Sequence, residues 1–511
     1  MNKVHLVQGP NATFDAILST VKKAASFVKP TFGPSSNKVL ISKQTHRLAV
    51  DDGVQILRDL ELPDAVENAI LKEVRETSIK TNDRAGDGTT GSFIVLEAII
   101  KAVSDLTSRD GRKIEKELKK GLEDAKKQLL ALAKPVKTKA ELEKVARISF
   151  DDQKIAGLIS DTMFKLGKDG VLTVDRSGTM ETFVELTDGV KIANGYVSPY
   201  MVTNPQRMEG VIEKPYIMLT DYRLTEAADI IGVMNKLAEK NIRNLVLICE
   251  HIEGAALATA IVNKVQGQFN LIAVNAPTSE GDRSVFLEDI ALLTGAKLFS
   301  EKKGDKLEEA ELDDLGRAGR FIAKKTESVI VSPKTKKSVI ASATKALRAA
   351  IKAAPGEREK TELKTRLARF SNKVAVIKVG AATENEEKAL RYKVEDAINA
   401  VQCAFRGGVV AGGGFALASL ETSSPLLNEA LKRPHMQLAE NVGLDAIPGA
   451  SVKKGIAYNV VTNEAGDFRK VGVMDPVEVL LAAVESAVSI ACVLVTMKGI
   501  IVEEPPKPKT E

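Results

Sequence analysis

The sequence contains no tryptophan, and only three cysteines and four histidines in 511 residues. Cys249, Cys403 and Cys492 stand far apart with no paired spacing. That disfavours a zinc knuckle and a disulfide framework, and fits a reducing compartment. His5, His46, His251 and His435 have no His or Cys partner at metal-ligand spacing, so each reads as a surface or packing residue. Any chemistry is therefore expected to run on carboxylates. The P-loop signature is absent, which removes the P-loop nucleotide hydrolases. No apolar run approaches the ~20 residues needed to span a bilayer. The start, MNKVHLVQGPNATFDA, lacks a basic region followed by an apolar stretch, so no signal peptide is expected. The net charge of +5 is small for the length and gives no argument for nucleic acid or a membrane surface.

What is present is an ordinary globular balance, 44% hydrophobic and 28% charged. A chain this long exceeds one compact core and fits roughly two to four domains. Residues 11–30 and 64–133 read as helical; in 112–133, Ile114, Leu118, Leu122, Leu129 and Leu130 recur at helical spacing with Lys and Glu between them. The middle differs. GVLTVD (170–175), YIMLTD (216–221), NLVLICE (244–250) and LIAVNAP (271–277) read as strands, and from the second onward they alternate with helical stretches near 225–241, 253–267 and 283–294. That alternation predicts an α/β domain. Residues 339–370 are again helical and charged, VAVIKVG (374–380) is a strand, and helices dominate after 384. The Pro-rich end, EEPPKPKTE, reads as a disordered tail. The order is a helical half, an α/β insert and a second helical half.

Four polar or glycine-rich loops stand out. Gly86-Asp87-Gly88-Thr89-Thr90-Gly91 enters the helical run SFIVLEAIIKAV. Glycines permit close approach of a phosphate, a helix start offers unpaired N–H groups, and Asp87 is a hard oxygen ligand suited to Mg²⁺. Thr89 and Thr90 can donate hydroxyls to phosphate oxygens. A polar loop with a Thr N-cap is the plain alternative. Thr31-Phe32-Gly33-Pro34 follows a helix, and Gly-Pro also simply ends one. Asp51-Asp52-Gly53-Val54 puts paired acids before a glycine, the usual composition of a turn. Gly412-Gly413-Gly414, between apolar runs, implies backbone packed closely on something flat. It is not a dinucleotide fingerprint, because Leu417 stands where the third glycine would fall.

Taken in order, these segments resemble the group I chaperonins. TFGP (31–34), DDGV (51–54), AGDGTT (85–90), GKDGVLTVD (167–175), GYVSPY (195–200), EGAALAT (253–259), KVAVIKVGAATE (373–384), VEDAINA (394–400) and GGVVAGGG (407–414) all match, over about residues 10–502. The resemblance implies a multidomain α+β architecture. Residues 1–134 and 408–503 would form a mostly helical equatorial ATPase domain, 135–188 and 374–407 a small intermediate hinge domain, and 189–373 an apical α/β polypeptide-binding domain, with 504–511 a disordered tail.

By the same resemblance, ATP would be held by Thr31, Phe32, Gly33, Pro34, Asp87, Gly88, Thr89, Thr90, Gly91, Gly413, Asn459, Val460, Val461 and Asp475. Asp87 would carry Mg²⁺, Gly413 would lie near the adenosine and Asp475 would bond the ribose. Asp396 would swing in to orient the attacking water, with Asp52 a second acid near it; outside the resemblance, Asp396 reads as a solvated helix acid. The polypeptide-binding face would comprise Tyr196, Val197, Tyr200 and Met201, then Ile231 and Met234, then Leu257, Ile261 and Val262. Leu257 and Ile261 share a helical face, which would be buried core in most proteins but exposed in a chaperonin.

The sequence also departs from the family. Asp51 stands where a basic residue is usual, Gly91 replaces a Thr, and Asn372-Lys373 replaces a glycine pair at the apical hinge. The Gly-Met-rich tail is absent and the pI, near 8.7, is basic. The implied function is an ATP-dependent chaperone that binds unfolded client proteins, as a homo-oligomeric heptameric ring with a small lid-type co-chaperonin, in cytoplasm, an organelle matrix or a virus-infected host. The alternative is a holdase or scaffold with weak or uncoupled ATPase. The stretch Phe415–Met436 is shorter than usual and Met436 falls near an expected basic residue, so a weak contact between stacked rings is expected.

Overall fold

A computed structural model describes residues 4–34, 36–42, 47–149, 152–167, 170–205, 207–276, 280–354, 356–371, 373–444 and 455–503. His46, Asn372 of the expected hinge and the tail 504–511 lie outside the described residues. The chain divides into two compact units: one of residues 1–168, 174–183 and 377–511, the other of 169–173 and 184–376.

The first unit is helical. Its core is built by helices from both ends of the chain: Pro10–Val28, Ala65–Ala85, Thr89–Ser104 and Gly111–Leu132 from the first half, Pro425–Asn441 and Val477–Thr496 from the second. Asp64 and Asp110 cap two of them by accepting backbone amides of the first turn. The two helical halves therefore pack as one, and the chain ends join them directly: Val4–Gln8 pairs antiparallel with Gly499–Glu503. Contrary to the sequence expectation, one helix, Val477–Thr496, is long and apolar enough to cross a membrane. Here it lies in the core, with Val477, Leu480, Val484, Ala487, Val488 and Leu494 buried. Its two acids, Glu478 and Glu485, pair with Arg406 and Arg84. A second group of helices, Lys139–Ser149, Gln153–Leu166 and Glu384–Gly407, belongs to this same unit. Most of the stretches expected to form a hinge domain group here with the helical core, while 169–173, 184–188 and 374–376 fall in the other unit, so the three-part division is a proposal.

The second unit is α/β. Parallel strands Asn270–Asn275, Asn244–Cys249 and Tyr216–Thr220 adjoin in that order, and an antiparallel hairpin, Gly316–Ala323 with Ser328–Pro333, extends the sheet towards Phe183–Ile192. Near-continuous burial along the three parallel strands matches their unbroken apolar runs. Helices Ala228–Glu239, Gly254–Val265 and Glu280–Thr294 are the crossovers. The hairpin strands were not foreseen, because GRAGRFIA and SVIVSP are short and interrupted by charge or glycine.

Asp289, on helix Glu280–Thr294, is fully buried and held by Arg366 at 2.7 Å and Arg369 at 2.8 Å, both on helix Glu357–Ser371. Removing one partner of such a buried pair strands the opposite charges and costs about 3–5 kcal/mol. Asp289→Ala is expected to lower the denaturant midpoint of the α/β unit accordingly. A loss of under about 1 kcal/mol in equilibrium unfolding, the range of an exposed pair, would refute it.

Candidate functional site

The sharpest geometry lies in the helical unit, where glycine-rich loops meet two helices. Helix Ala65–Ala85 ends on Gly86 in the left-handed region (φ 66°), and Gly88 (φ 80°) opens helix Thr89–Ser104 without a side-chain cap. The first amides of this 16-residue helix thus keep no side-chain acceptor, and the helix start carries about half a positive charge. Between the two glycines, Asp87 accepts from the Gly88 amide at 2.6 Å and the Ser149 hydroxyl at 3.0 Å. Thr89 does not turn its backbone oxygen to the site, since Ser78 and Ser92 donate to it at 2.8 and 2.7 Å.

Close approach explains the glycines. A Cβ on Gly53 would meet Thr90 Oγ1 at 2.4 Å, so Gly53 lets the start of helix Gly53–Asp59 abut that of Thr89–Ser104. Asp52 caps the former by accepting from the Val54 amide at 3.0 Å. A Cβ on Gly86 would strike the Asn399 amide at 2.2 Å. Gly91 is different: a Cβ there would touch the Phe32 ring at an ordinary 3.6 Å, so a larger residue fits.

Helix Pro425–Asn441 holds two of the loops with residues three apart. His435 Nδ1 lies 3.1 Å from the Gly413 carbonyl, Leu438 fills the space beside Gly33, and Asn441 donates to the Lys29 and Phe32 carbonyls, both at 2.8 Å. A carbonyl only accepts, so Nδ1 carries the proton. Thr31 is buried, its hydroxyl donating to Val28 at 2.8 Å. Gly33 itself sits at φ 92°. Asn441 and His435 were missed by sequence reasoning; their signal is a three-residue spacing that gains meaning only once the loops are placed.

Helix Glu384–Gly407 does the same on another side. Lys393 pairs with Asp51 at 2.9 Å, and Asn399 donates to the Gly86 carbonyl at 3.4 Å. Asp396 lies midway between them on the helix surface and is half-buried. The helix thus presents Asp396 towards the loops carrying Asp51, Asp52 and Asp87.

Asp475, on the short strand Met474–Pro476 paired to Val409–Ala411, meets the triple-glycine loop. Its carboxylate accepts the Gly413 and Gly414 amides, and a Cβ on Gly412 would fall 2.9 Å from Asp475 Oδ1. Burial, then the charge on Asp87, pushes the Asp475 carboxyl up to about 7 despite those amides. Burial likewise raises Asp87, with Asp52 adding to it and the Gly88 and Ser149 bonds opposing it. Both acids keep partial solvent access while protein surrounds them, the signature of a recessed site. Asn459 spends its side chain on its own turn, donating to Val471 at 3.1 Å and accepting from Val461 and Thr462 at 2.9 and 3.2 Å. Val460 and Val461 follow in that turn, and Val461 is exposed. The structure therefore joins Thr31–Pro34, Asp52, Asp87–Gly91, Gly413 and Asp475 through direct links, Asp396 through its helix neighbours Lys393 and Asn399, and Asn459 through the segment that leads to Met474.

The expected apolar face of the α/β unit divides. Tyr200 (66%), Ile231 (39%) and Val262 (49%) are exposed, and Val197, Leu257 and Ile261 are half-buried. Tyr196, Met201 and Met234 are core residues, a correction to their expected exposure: Tyr196 bridges to Val274 of the edge strand Asn270–Asn275, and Met201 Sδ accepts the Ala273 amide at 3.2 Å. Val265, one turn beyond Ile261 and 66% exposed, extends the face and was missed.

A model of the TCP-1/cpn60 chaperonin family matches residues 24–423. The chaperonin gp146 from bacteriophage EL 2 (Pseudomonas aeruginosa), crystallised in presence of ATP-BeFx, superposes in its crystal form II with a TM-score of 0.69 at 20% identity, covering 98% of this chain and 99% of that one. Its crystal form I gives 0.62 with the same identity and coverage. At this identity the likeness is one of fold.

The raised Asp475 carboxyl carries a pH signature. Its folded value, about 7, exceeds the ordinary 3.8, so the folded chain holds that proton more tightly. The resulting stabilisation is complete below the ordinary value and is lost as pH rises through about 7. The ligand-free protein is expected to lose thermal stability across that interval, and Asp475→Asn to flatten this part of the profile. Parallel melting curves for the two chains would refute it.

Proposed function

Since the chain belongs to the TCP-1/cpn60 chaperonin family, we propose that it is an ATP-hydrolysing chaperone whose nucleotide site is the glycine-lined recess of the helical unit. The observation that carries this reading is the meeting of an uncapped helix start at Gly88 with paired recessed acids, Asp87 and Asp475, under glycines whose Cβ atoms would collide. Backbone that approaches so closely leaves a cradle for phosphates and a flat base. Among the described residues no group of three or more His, Cys, Asp or Glu converges on a metal position. Mg²⁺ would therefore arrive with the phosphates and add Asp87 as a ligand, as hard cations that keep few protein ligands do.

ATP, when bound, supplies the phosphoanhydride whose hydrolysis drives the cycle. The chain supplies position and charge. The Gly88–Gly91 amides receive phosphate oxygens, Thr89 and Thr90 offer hydroxyls, and Thr31–Pro34 and Gly413 bound the nucleotide. Asp475, already fixing the glycine loop, keeps lone pairs for a ribose hydroxyl. Asp396 would orient the attacking water, with Asp52 a second acid near it. Because Asp396 rides on a helix shared with the proposed intermediate domain, 135–188 and 374–407, its arrival couples hydrolysis to domain movement. The exposed side chains Tyr200, Ile231, Val262 and Val265 form the proposed polypeptide-binding face. We further propose a heptameric ring in the cytoplasm, with a small lid-type partner.

The decisive experiment is recovery of a denatured client enzyme with and without ATP and a lid protein. Capture without ATP-dependent release would identify a holdase instead. Asp396→Ala is expected to bind ATP yet hydrolyse it about 100-fold or more slowly, the range for loss of a positioned acid–base group. A wild-type turnover rate would remove Asp396 from the mechanism. Tyr200→Glu and Val262→Glu are expected to abolish client capture with folding and nucleotide binding intact. Unimpaired capture by both would place the binding face elsewhere.

A further inference from the structure

The acids of the recess act on one another: Asp52 on Asp87, and Asp87 on Asp475. Asp51 adds a further carboxylate beside Asp52. A polyphosphate at the start of helix Thr89–Ser104 would bring more negative charge to the same place, and a helix macrodipole of about half a charge offsets only part of it. A lysine is tied into this cluster. Lys393 Nζ lies 2.9 Å from Asp51 Oδ2, yet its side chain keeps 38% exposure against 21% for Asp51. It stands one turn before Asp396, on the helix face that reaches Gly86 through Asn399. Whatever brings Asp396 to the phosphates brings Lys393 with it.

Resting on the nucleotide reading above, we propose that Lys393 contacts nucleotide phosphates, exchanging its Asp51 partner for phosphate oxygens when a nucleoside polyphosphate occupies the recess. The chemistry suits the exchange. An ammonium is a compact charge with three donors on a flexible four-carbon stem, so it can change acceptors without moving its helix. Phosphate oxygens compete well with a lone carboxylate for such a donor. In the ligand-free chain Asp51 holds the lysine at the rim of the recess; in the occupied chain Asp51 is its competitor. Removing Asp51 therefore strengthens nucleotide binding, whereas removing Lys393 weakens it. A lysine that served only to latch the helix to the Asp51 loop would behave otherwise, because its contribution would vanish once Asp51 was gone.

Calorimetric titration of the full chain, with Mg²⁺ present, separates these cases. The ligands are AMP, ADP and a non-hydrolysable ATP analogue; the chains are wild type, Lys393→Gln, Asp51→Asn and the double variant. Lys393→Gln is expected to weaken the ATP analogue about tenfold, the size of one charge-assisted bond, ADP less, and AMP within about twofold. Asp51→Asn is expected to bind the analogue at least as tightly as wild type. The loss from Lys393→Gln is expected to persist in the Asp51→Asn background. Disappearance of that loss in the double variant, or an equal loss for AMP and the analogue, overturns the proposal and leaves the nucleotide reading intact. A wild-type chain that binds none of the three overturns both. Should Lys393→Gln fail to fold, Asp51→Asn decides alone, and weaker binding of the analogue by that variant is the overturning result.

Discussion

The site depends on backbone that carries no side chains. Gly53, Gly86, Gly412 and Gly414 each occupy a place where a Cβ would fall under 3 Å from a neighbouring atom. Those neighbours, Thr90, Asn399, Asp475 and the His435 backbone, come from separate parts of the chain. Each glycine is thus a point where one segment lies directly on another. The amides left uncovered at Gly88, and the acids set around them, follow from that closeness. Replacing any of these glycines with a larger residue would push apart the segments that define the recess, rather than merely fill it.

Two helices turn this closeness into a defined geometry. Pro425–Asn441 reaches the triple-glycine loop and the Thr31–Pro34 loop with His435, Leu438 and Asn441. Glu384–Gly407 reaches the Asp51 and Gly86 loops with Lys393 and Asn399. Residues three apart follow one side of a helix, so each helix clamps two loops at once. Electrostatics work against the arrangement: burial of the carboxylates, and next their mutual repulsion, makes Asp87 and Asp475 both hold their protons more tightly than usual. A ligand that brings positive charge, or a cation supplied by the chain, relieves that repulsion.

Much of this was legible beforehand, for identifiable reasons. The strands Tyr216–Thr220, Asn244–Cys249 and Asn270–Asn275 showed as unbroken apolar runs because parallel strands are buried on both faces. The loops around Asp87 and Gly413 showed because glycine and acid seldom cluster without a task. The links between loops did not show: His435 and Asn441 look like ordinary helix residues until their partners, hundreds of positions away, are in place. The expected apolar face failed in part for a related reason. Periodicity identifies a shared face but not which side of it meets water, so Met201 and Met234 went to the core while Tyr200 and Val262 stayed out.

The antiparallel pairing of Val4–Gln8 with Gly499–Glu503, and the burial of Val477–Thr496 in the core, have a consequence in time. Synthesis runs from the N-terminal side, so the partner of the first strand and the central core helix are made hundreds of residues after the segments they join. Until they emerge, the early helices have no apolar centre to close on, whereas the α/β unit can condense from its own contiguous stretch. Contacts of such long sequence separation form slowly, and exposed apolar helices invite aggregation meanwhile. The helical unit must therefore wait, unfinished, while the whole α/β unit between its two halves is made.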